Sequence, residues 1–237
     1  MSASHLNINP SLAKVVERQM RNWELARTQH PVDTAPDAPP VADFVCLSRG
    51  VGCPMEDVPG LLAQRLHWPL FDKEILDVMA GEDDLRRRMY ETMDERDLSW
   101  MEDVLRPLVE PHFSRNDYFH RLTETILTLT RKGSGVFVGR AADLILPRSI
   151  GLRVRMIAPR ERCVHHLAEV QGWSPEQAQS MLDRLERDRA LFIEKHFPKL
   201  VPDDSRFDLV INTKEWNADE CVNLIESARA IRAARGR

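Results

Sequence analysis

Val41-Ala-Asp-Phe-Val-Cys-Leu47 runs directly into Ser48-Arg49-Gly50-Val51-Gly52-Cys53-Pro54, and then into a stretch whose Val58, Leu61, Leu62 and Leu66 share one helical face. A short apolar run that ends at glycines and gives way to helical spacing reads as a strand, a tight turn and a helix. Further strand candidates follow with helical segments between them. They are Trp68-Pro-Leu-Phe71, Val136-Phe-Val138, Leu152-Arg-Val-Arg-Met-Ile157, which alternates as a strand with one polar side, and Asp208-Leu-Val-Ile211. Strands separated by helices predict an α/β fold with a parallel sheet.

The helices between them carry their own signals. Asp72-Lys73-Glu74 either caps a helix expected over 74–80 or orients a substrate hydroxyl or amine, and Tyr118 to Thr130 reads as another helix that stops at the turn Lys132-Gly-Ser-Gly135. Ser174-Pro175-Glu176-Gln177 supplies a cap, a proline at the first helical position and the glutamine of a capping box. Ala178, Met181, Leu182 and Leu185 then form an apolar stripe, and the helix runs through Arg184, Arg187, Asp188 and Arg189 before stopping by Pro198. The segment Glu82 to Glu110 holds ten acidic residues and five arginines, a local charge of −5, and is expected to be helical and solvated. Near the start, Asn9 caps and Pro10 opens a helix with Leu12, Val15, Val16, Gln19 and Trp23 on one stripe. That stripe folds back on its own domain or packs on a partner chain, as in a homodimer. Four prolines between Pro31 and Pro40 mark a semi-rigid linker. The expected organisation is a helical appendage at 1–30, a linker at 31–40 and one domain at 41–237.

Composition narrows the function classes. With 237 residues, 43% hydrophobic and 30% charged, the chain can bury a core, which excludes general disorder. Its formal net charge of −4 speaks against a nucleic-acid-binding module held mainly by charge. No run approaches the roughly 20 apolar residues of a membrane helix. The start, Met1-Ser-Ala-Ser-His5, lacks the basic and apolar regions of a signal peptide. Cys46, Cys53, Cys163 and Cys221 are widely spaced, as expected of reduced thiols in a cytoplasmic protein. Adjacent His165 and His166 make a poor metal pair, and no metal site is expected.

Three pieces could carry chemistry. The turn Ser48 to Pro54 gathers backbone N–H groups at a helix start, which suits an anion, but it has no lysine and Pro54 offers no N–H; an ordinary strand-to-helix turn reads equally from these residues. Gly139-Arg140 follows the strand 136–138, where ligands of open α/β sheets bind. Arg140 there forks onto a phosphate or pairs with Asp143. Arg184, Arg187 and Arg189 either clamp a transferring phosphoryl group or form surface pairs, Asp183 with Arg187 and Arg184 with Asp188.

The order of these pieces resembles the cytidylate kinase-like family of P-loop nucleoside monophosphate kinases. The likeness rests on Ser48-Arg49, Leu70-Phe-Asp-Lys-Glu-Ile-Leu76, Val136-Phe-Val-Gly-Arg-Ala-Ala-Asp-Leu-Ile-Leu146, Arg153-Val-Arg-Met-Ile-Ala-Pro159, Asp188-Arg-Ala-Leu-Phe-Ile-Glu-Lys-His-Phe197 and Phe207-Asp-Leu-Val-Ile-Asn-Thr213. It covers about Val41 to about Ala230. The resemblance implies a five-stranded parallel sheet with flanking helices and a helical lid over about 172–200. It implies ATP with Mg²⁺ as donor and CMP or a related pyrimidine nucleoside monophosphate as acceptor. It further implies that Ser48, Arg49, Gly50, Val51, Gly52 and Cys53 face the ATP phosphates. Arg140 and Asp72 would lie on the acceptor side, and Arg184, Arg187 and Arg189 would be catalytic groups of the lid. Where the family carries G-S-G-G, this chain has Gly52-Cys53-Pro54-Met55 followed by Glu56. That departure leaves a second reading open, a non-catalytic nucleotide sensor on the same scaffold.

Overall fold

A computed structural model describes residues 10–29, 41–106, 118–198, 200 and 203–235 of the chain. The expected linker 31–40 and the Asn9 cap lie outside these residues. The strands are β1 Phe44–Arg49, β2 Leu70–Phe71, β3 Gly135–Val138, β4 Leu152–Ile157 and β5 Leu209–Asn212. They form one parallel sheet in the order β2-β3-β1-β4-β5. The helices are α1 Pro10–Gln29, α2 Val58–Leu66, α3 Lys73–Gly81, α4 Asp83–Tyr90, α5 Glu95–Leu105, α6 Tyr118–Lys132, α7 Ala142–Ile145, α8 Arg160–Gln171, α9 Pro175–His196 and α10 Ala218–Ala234.

Side chains alternate across a strand, so β1 feeds two cores. Phe44 and Cys46 join Phe71, Phe137, Leu76, Met79, Leu122 and Ile126 on the face covered by α1, α3 and α6. Val45 and Leu47 join Val154, Met156, Leu62, Val222 and Ile225 on the face covered by α2, α8 and α10. A sheet covered on both sides needs continuous apolar runs, which is why 44–47 has no polar residue.

The stripe of α1 is spent on its own domain. Val16, Met20 and Trp23 are buried, Trp23 Nε1 donates to the Leu129 carbonyl at 3.0 Å, and Gln19 Oε1 accepts from the Leu70 amide at 3.2 Å. The apolar face that a homodimer through this helix would have used is therefore occupied.

Two expectations of solvent-facing polarity are corrected. The polar side of β4 is not solvated: Arg153 is fully buried, and its guanidinium donates to the carbonyls of Asp143, Leu146, Pro147 and Ile150. It thereby ties down the loop that leaves β3. Within the acidic segment, Asp97 is buried in the capping box of α5 and pairs with Arg131, at 2.6 Å, and Lys132 from the end of α6.

The capping box of α9 forms as the sequence predicts, with Ser174 Oγ accepting from the Gln177 amide and Gln177 Oε1 from the Ser174 amide. The far end of α9 meets α6 through rings. Phe119 lies 6.1 Å from Phe192, 5.5 Å from Phe197 and 4.1 Å from His196, centroid to centroid, the last pair stacked.

Candidate nucleotide site

The carboxyl ends of β3, β1 and β4 stand side by side. The register pairs Leu47 with Val138 and Ser48 with Arg155. The Gly139 amide donates to the Leu47 carbonyl at 3.0 Å, and the Gly50 amide to the Met156 carbonyl at 2.9 Å. The loops leaving these strands thus share one rim of the sheet.

The turn after β1 departs from an open phosphate cradle. Gly52 has φ +68°, and a Cβ there would stand 2.7 Å from the Cys163 carbonyl and 2.9 Å from Leu167, so glycine is required. Met55 takes φ +90°, a left-handed conformation that strains any residue with a Cβ. Cys53 is buried, with Sγ 3.5 Å from Thr213 Oγ1. Ser48 Oγ accepts from Arg155 at 2.7 Å. Arg49 pairs with Glu56 at 2.6 Å, and Glu56 also meets His166 Nε2 at 3.1 Å. Burial opposes the charge on Glu56, but the His166 hydrogen bond and Arg49 outweigh it and hold the carboxyl below its ordinary pKa. Asp57 precedes α2 without making a side-chain cap, and Pro59 lies in its first turn. A cavity of about 580 Å³ opens beside this turn, bordered by Arg49, Glu56, Asp57, Leu61, Asp72 and Val138.

Asp72 does what its local sequence predicts, accepting from the Ile75 amide at 2.9 Å as the cap of α3, and it also borders the cavity. Arg140 sits in a left-handed run, with φ of 73°, 51° and 56° at Gly139, Arg140 and Ala141. It does not pair with Asp143, which instead meets Arg206 at 3.1 Å. Arg140 pairs with Asp77, and its guanidinium lies 5.6 Å from the Tyr118 ring centroid. Tyr118 in turn donates to Asp77 at 2.5 Å. Burial first, and then its bond to Asp77, push the Tyr118 phenol well above its ordinary pKa.

The three arginines of α9 part company. Arg189 turns to the rim and donates to the Arg49 carbonyl at 2.7 Å. Desolvation, then the positive charges of Arg155 and Arg49, lower its pKa, with Glu186 opposing them. Arg184 stays exposed beside Asp188 at 3.9 Å, and Arg187 is exposed. The expected Asp183–Arg187 pair does not form. Asp183 instead binds Arg160, which also holds Glu186 at 3.0 Å and so fastens α9 to α8.

Among the described residues no His, Cys, Asp and Glu group is arranged to hold a metal ion. All four cysteines are buried free thiols, and desolvation raises the pKa of each. No described helix is long and apolar enough to cross a membrane. Arg155 escaped the sequence reading because Leu152-Arg-Val-Arg reads only as a strand with one polar side, in which Arg153 and Arg155 look alike. Its only signal was a charge at the carboxyl end of a strand.

Five parallel strands in this order, with helices on both faces and a glycine turn after the central strand, define a P-loop kinase-like fold. The chain belongs to the cytidylate kinase-like family, whose profile matches residues 44–215. Among solved structures it is similar to an uncharacterized protein from Eubacterium ventriosum ATCC 27560, at 21% identity and TM-score 0.61 over 80% of this chain and 98% of that one. A shikimate kinase from Bacteroides thetaiotaomicron aligns at 12% identity and TM-score 0.41 over 78% of this chain and 96% of that one. A gluconokinase from Sinorhizobium meliloti 1021 aligns at 12% identity and TM-score 0.37 over 83% and 93%. No curated protein matches the sequence.

Proposed function

We propose that this chain is a nucleoside monophosphate kinase that transfers the γ-phosphoryl group of ATP to CMP or a related pyrimidine nucleoside monophosphate. The observation that carries this reading is the convergence at the carboxyl end of β1, where Arg189 reaches the Arg49 carbonyl and Arg155 reaches Ser48 Oγ, each at 2.7 Å, beside the Gly139-Arg140 turn of the neighbouring strand. Phosphoryl transfer needs little covalent chemistry from a protein. It needs positioned positive charge around the transferred group and exclusion of water. Arg140, after β3, grips the acceptor phosphate once Asp77 gives it up, and Asp72 borders the acceptor cavity. Arg189 comes from the lid segment, while Arg184 and Arg187 act only if α9 turns further inward.

The donor-side turn, 48–53, fits the phosphates of ATP through the guanidinium groups above it more than through its own amides. Mg²⁺ supplies charge neutralisation of the phosphates. Such an ion would arrive with the nucleotide and meet one or two carboxylates, and Glu56, Asp57 and Asp72 border the cavity. With α1 turned inward, a homodimer would have to use a different surface, and a cytoplasmic location accords with the free thiols.

A coupled ADP-release assay with ATP or GTP and Mg²⁺ over CMP, dCMP, UMP and AMP tests the activity; no turnover with any acceptor would end the enzyme reading. The strained Met55 and the Arg49–Glu56 pair favour the second reading, a nucleotide sensor without turnover. A sensor would be stabilised against heat by CMP but not by ATP.

A further inference from the structure

Arg155 has an environment that its own fold does not explain. It comes from β4, and its side chain is only 25% exposed. Half-buried arginines normally sit against a carboxylate. Here the nearest one is Asp204, 4.0 Å from Nε, and Nε makes no hydrogen bond. The partners it does have are neutral: the Ser48 hydroxyl at 2.7 Å and the Phe207 ring, whose centroid is 5.8 Å away. Arg189 stands close by, hydrogen-bonded to a backbone carbonyl and paired with no carboxylate among the described residues. Arg155 and Arg189 thus reach adjacent residues, Ser48 and Arg49, with one loosely placed carboxylate, Asp204, beside Arg155, and an anion between the two guanidinium groups would offset their repulsion.

The sheet order says which anion. Arg140 follows β3, on one side of β1, and Arg155 stands on β4, on the other. The acceptor groups Asp72 and Arg140 belong to the β2–β3 side. Arg155 therefore faces the donor half of the rim, next to the turn that follows β1. In a full phosphate loop a lysine reaches the β- and γ-phosphates. This turn has none, and Glu56 places a negative charge on Arg49 instead.

We propose that Arg155, seconded by Arg189, is the group that binds the terminal phosphates of the donor nucleotide, supplying from β4 the cation that the loop lacks. This rests on the kinase reading above but concerns only the donor half of the site. Ser48 holds the guanidinium in place from the neighbouring strand, and a phosphate has only the loose 4.0 Å contact with Asp204 to displace.

The test is calorimetric titration of the full-length chain with inorganic tripolyphosphate, and separately with CMP. Arg155→Gln keeps a donor for Ser48 and removes the charge, so tripolyphosphate affinity should fall about tenfold or more while CMP affinity stays close to wild type. Arg155→Lys keeps the charge and should recover most of the loss, with binding that weakens as salt is raised. A smaller loss in Arg155→Gln, with wild-type circular dichroism, overturns the proposal. If that variant does not fold, Arg155→Lys decides: salt-sensitive tripolyphosphate binding supports the assignment, and its absence overturns it. Wild-type chain that binds CMP but not tripolyphosphate also overturns it and leaves the acceptor site standing. Wild-type chain that binds neither strikes the kinase reading itself.

Discussion

Two side chains decide how the rim behaves, and both are held by carboxylates. Arg140 is paired with Asp77, so a phosphate must win it by exchange. Arg140→Ala should weaken CMP binding by about 2 kcal/mol, the worth of a charge-assisted bidentate contact. Unchanged affinity in calorimetry would place the acceptor elsewhere. Glu56 occupies Arg49 on the donor side. Its carboxyl is held below the unfolded value of about 4.3, so the pairing contributes stability above that pH and loses it as the pH falls through the lower folded value. Glu56→Gln should flatten the acid side of the stability profile, read by urea unfolding at a series of pH values. It should also tighten tripolyphosphate binding, because a competing negative charge is gone. A variant that binds less tightly would show Glu56 helping the donor site and not opposing it.

Elements were legible where local chemistry is self-sufficient. The capping box at Ser174 and the cap at Asp72 need no distant partner and form where the sequence places them, and the alternation of 152–157 marks β4 at its bounds although its ladder comes from β1 and β5. What the sequence hid depends on which element covers which face. Arg153 and Arg155 look alike in an alternating strand, yet one is sealed by four carbonyls and the other opens to the rim. Asp97 sits in a charged stretch that reads as solvated, and only the approach of α6 makes it a buried counter-ion. Asp97→Ala should therefore destabilise the protein by about 3 kcal/mol, since it removes the buried carboxylate that Arg131 and Lys132 share and breaks the box of α5. A loss below about 1 kcal/mol in urea unfolding would mean that these cations find water on their own.

At the scale of the whole molecule, the α/β class and the parallel sheet followed from the alternation of strands and helices, and the strand order and the place of α1 did not. An amphipathic stripe states that something must cover it and not what. Trp23 answers: it is fully buried and hydrogen-bonded to α6. Trp23→Ala should cost about 3–5 kcal/mol, because a cavity and an unpaired carbonyl are left together. A midpoint within experimental error of wild type would show α1 to be dispensable. The contact of Arg189 with the Arg49 carbonyl was likewise not legible, since it depends on where the fold places α9 relative to the turn after β1.

The ring cluster of Phe119, Phe192, His196 and Phe197 binds α9 to the beginning of α6, where Tyr118 touches Arg140. The arm that delivers Arg189 and the wall that supports Arg140 are therefore clasped to each other like the two leaves of a closed book. On the kinase reading proposed above, a nucleoside would enter along the spine, between α2 and β2, where the hollow by Asp72 opens. Widening the clasp would cost the stacking of aromatic rings, so on that reading the doorway and the transfer site are set by different parts of the chain.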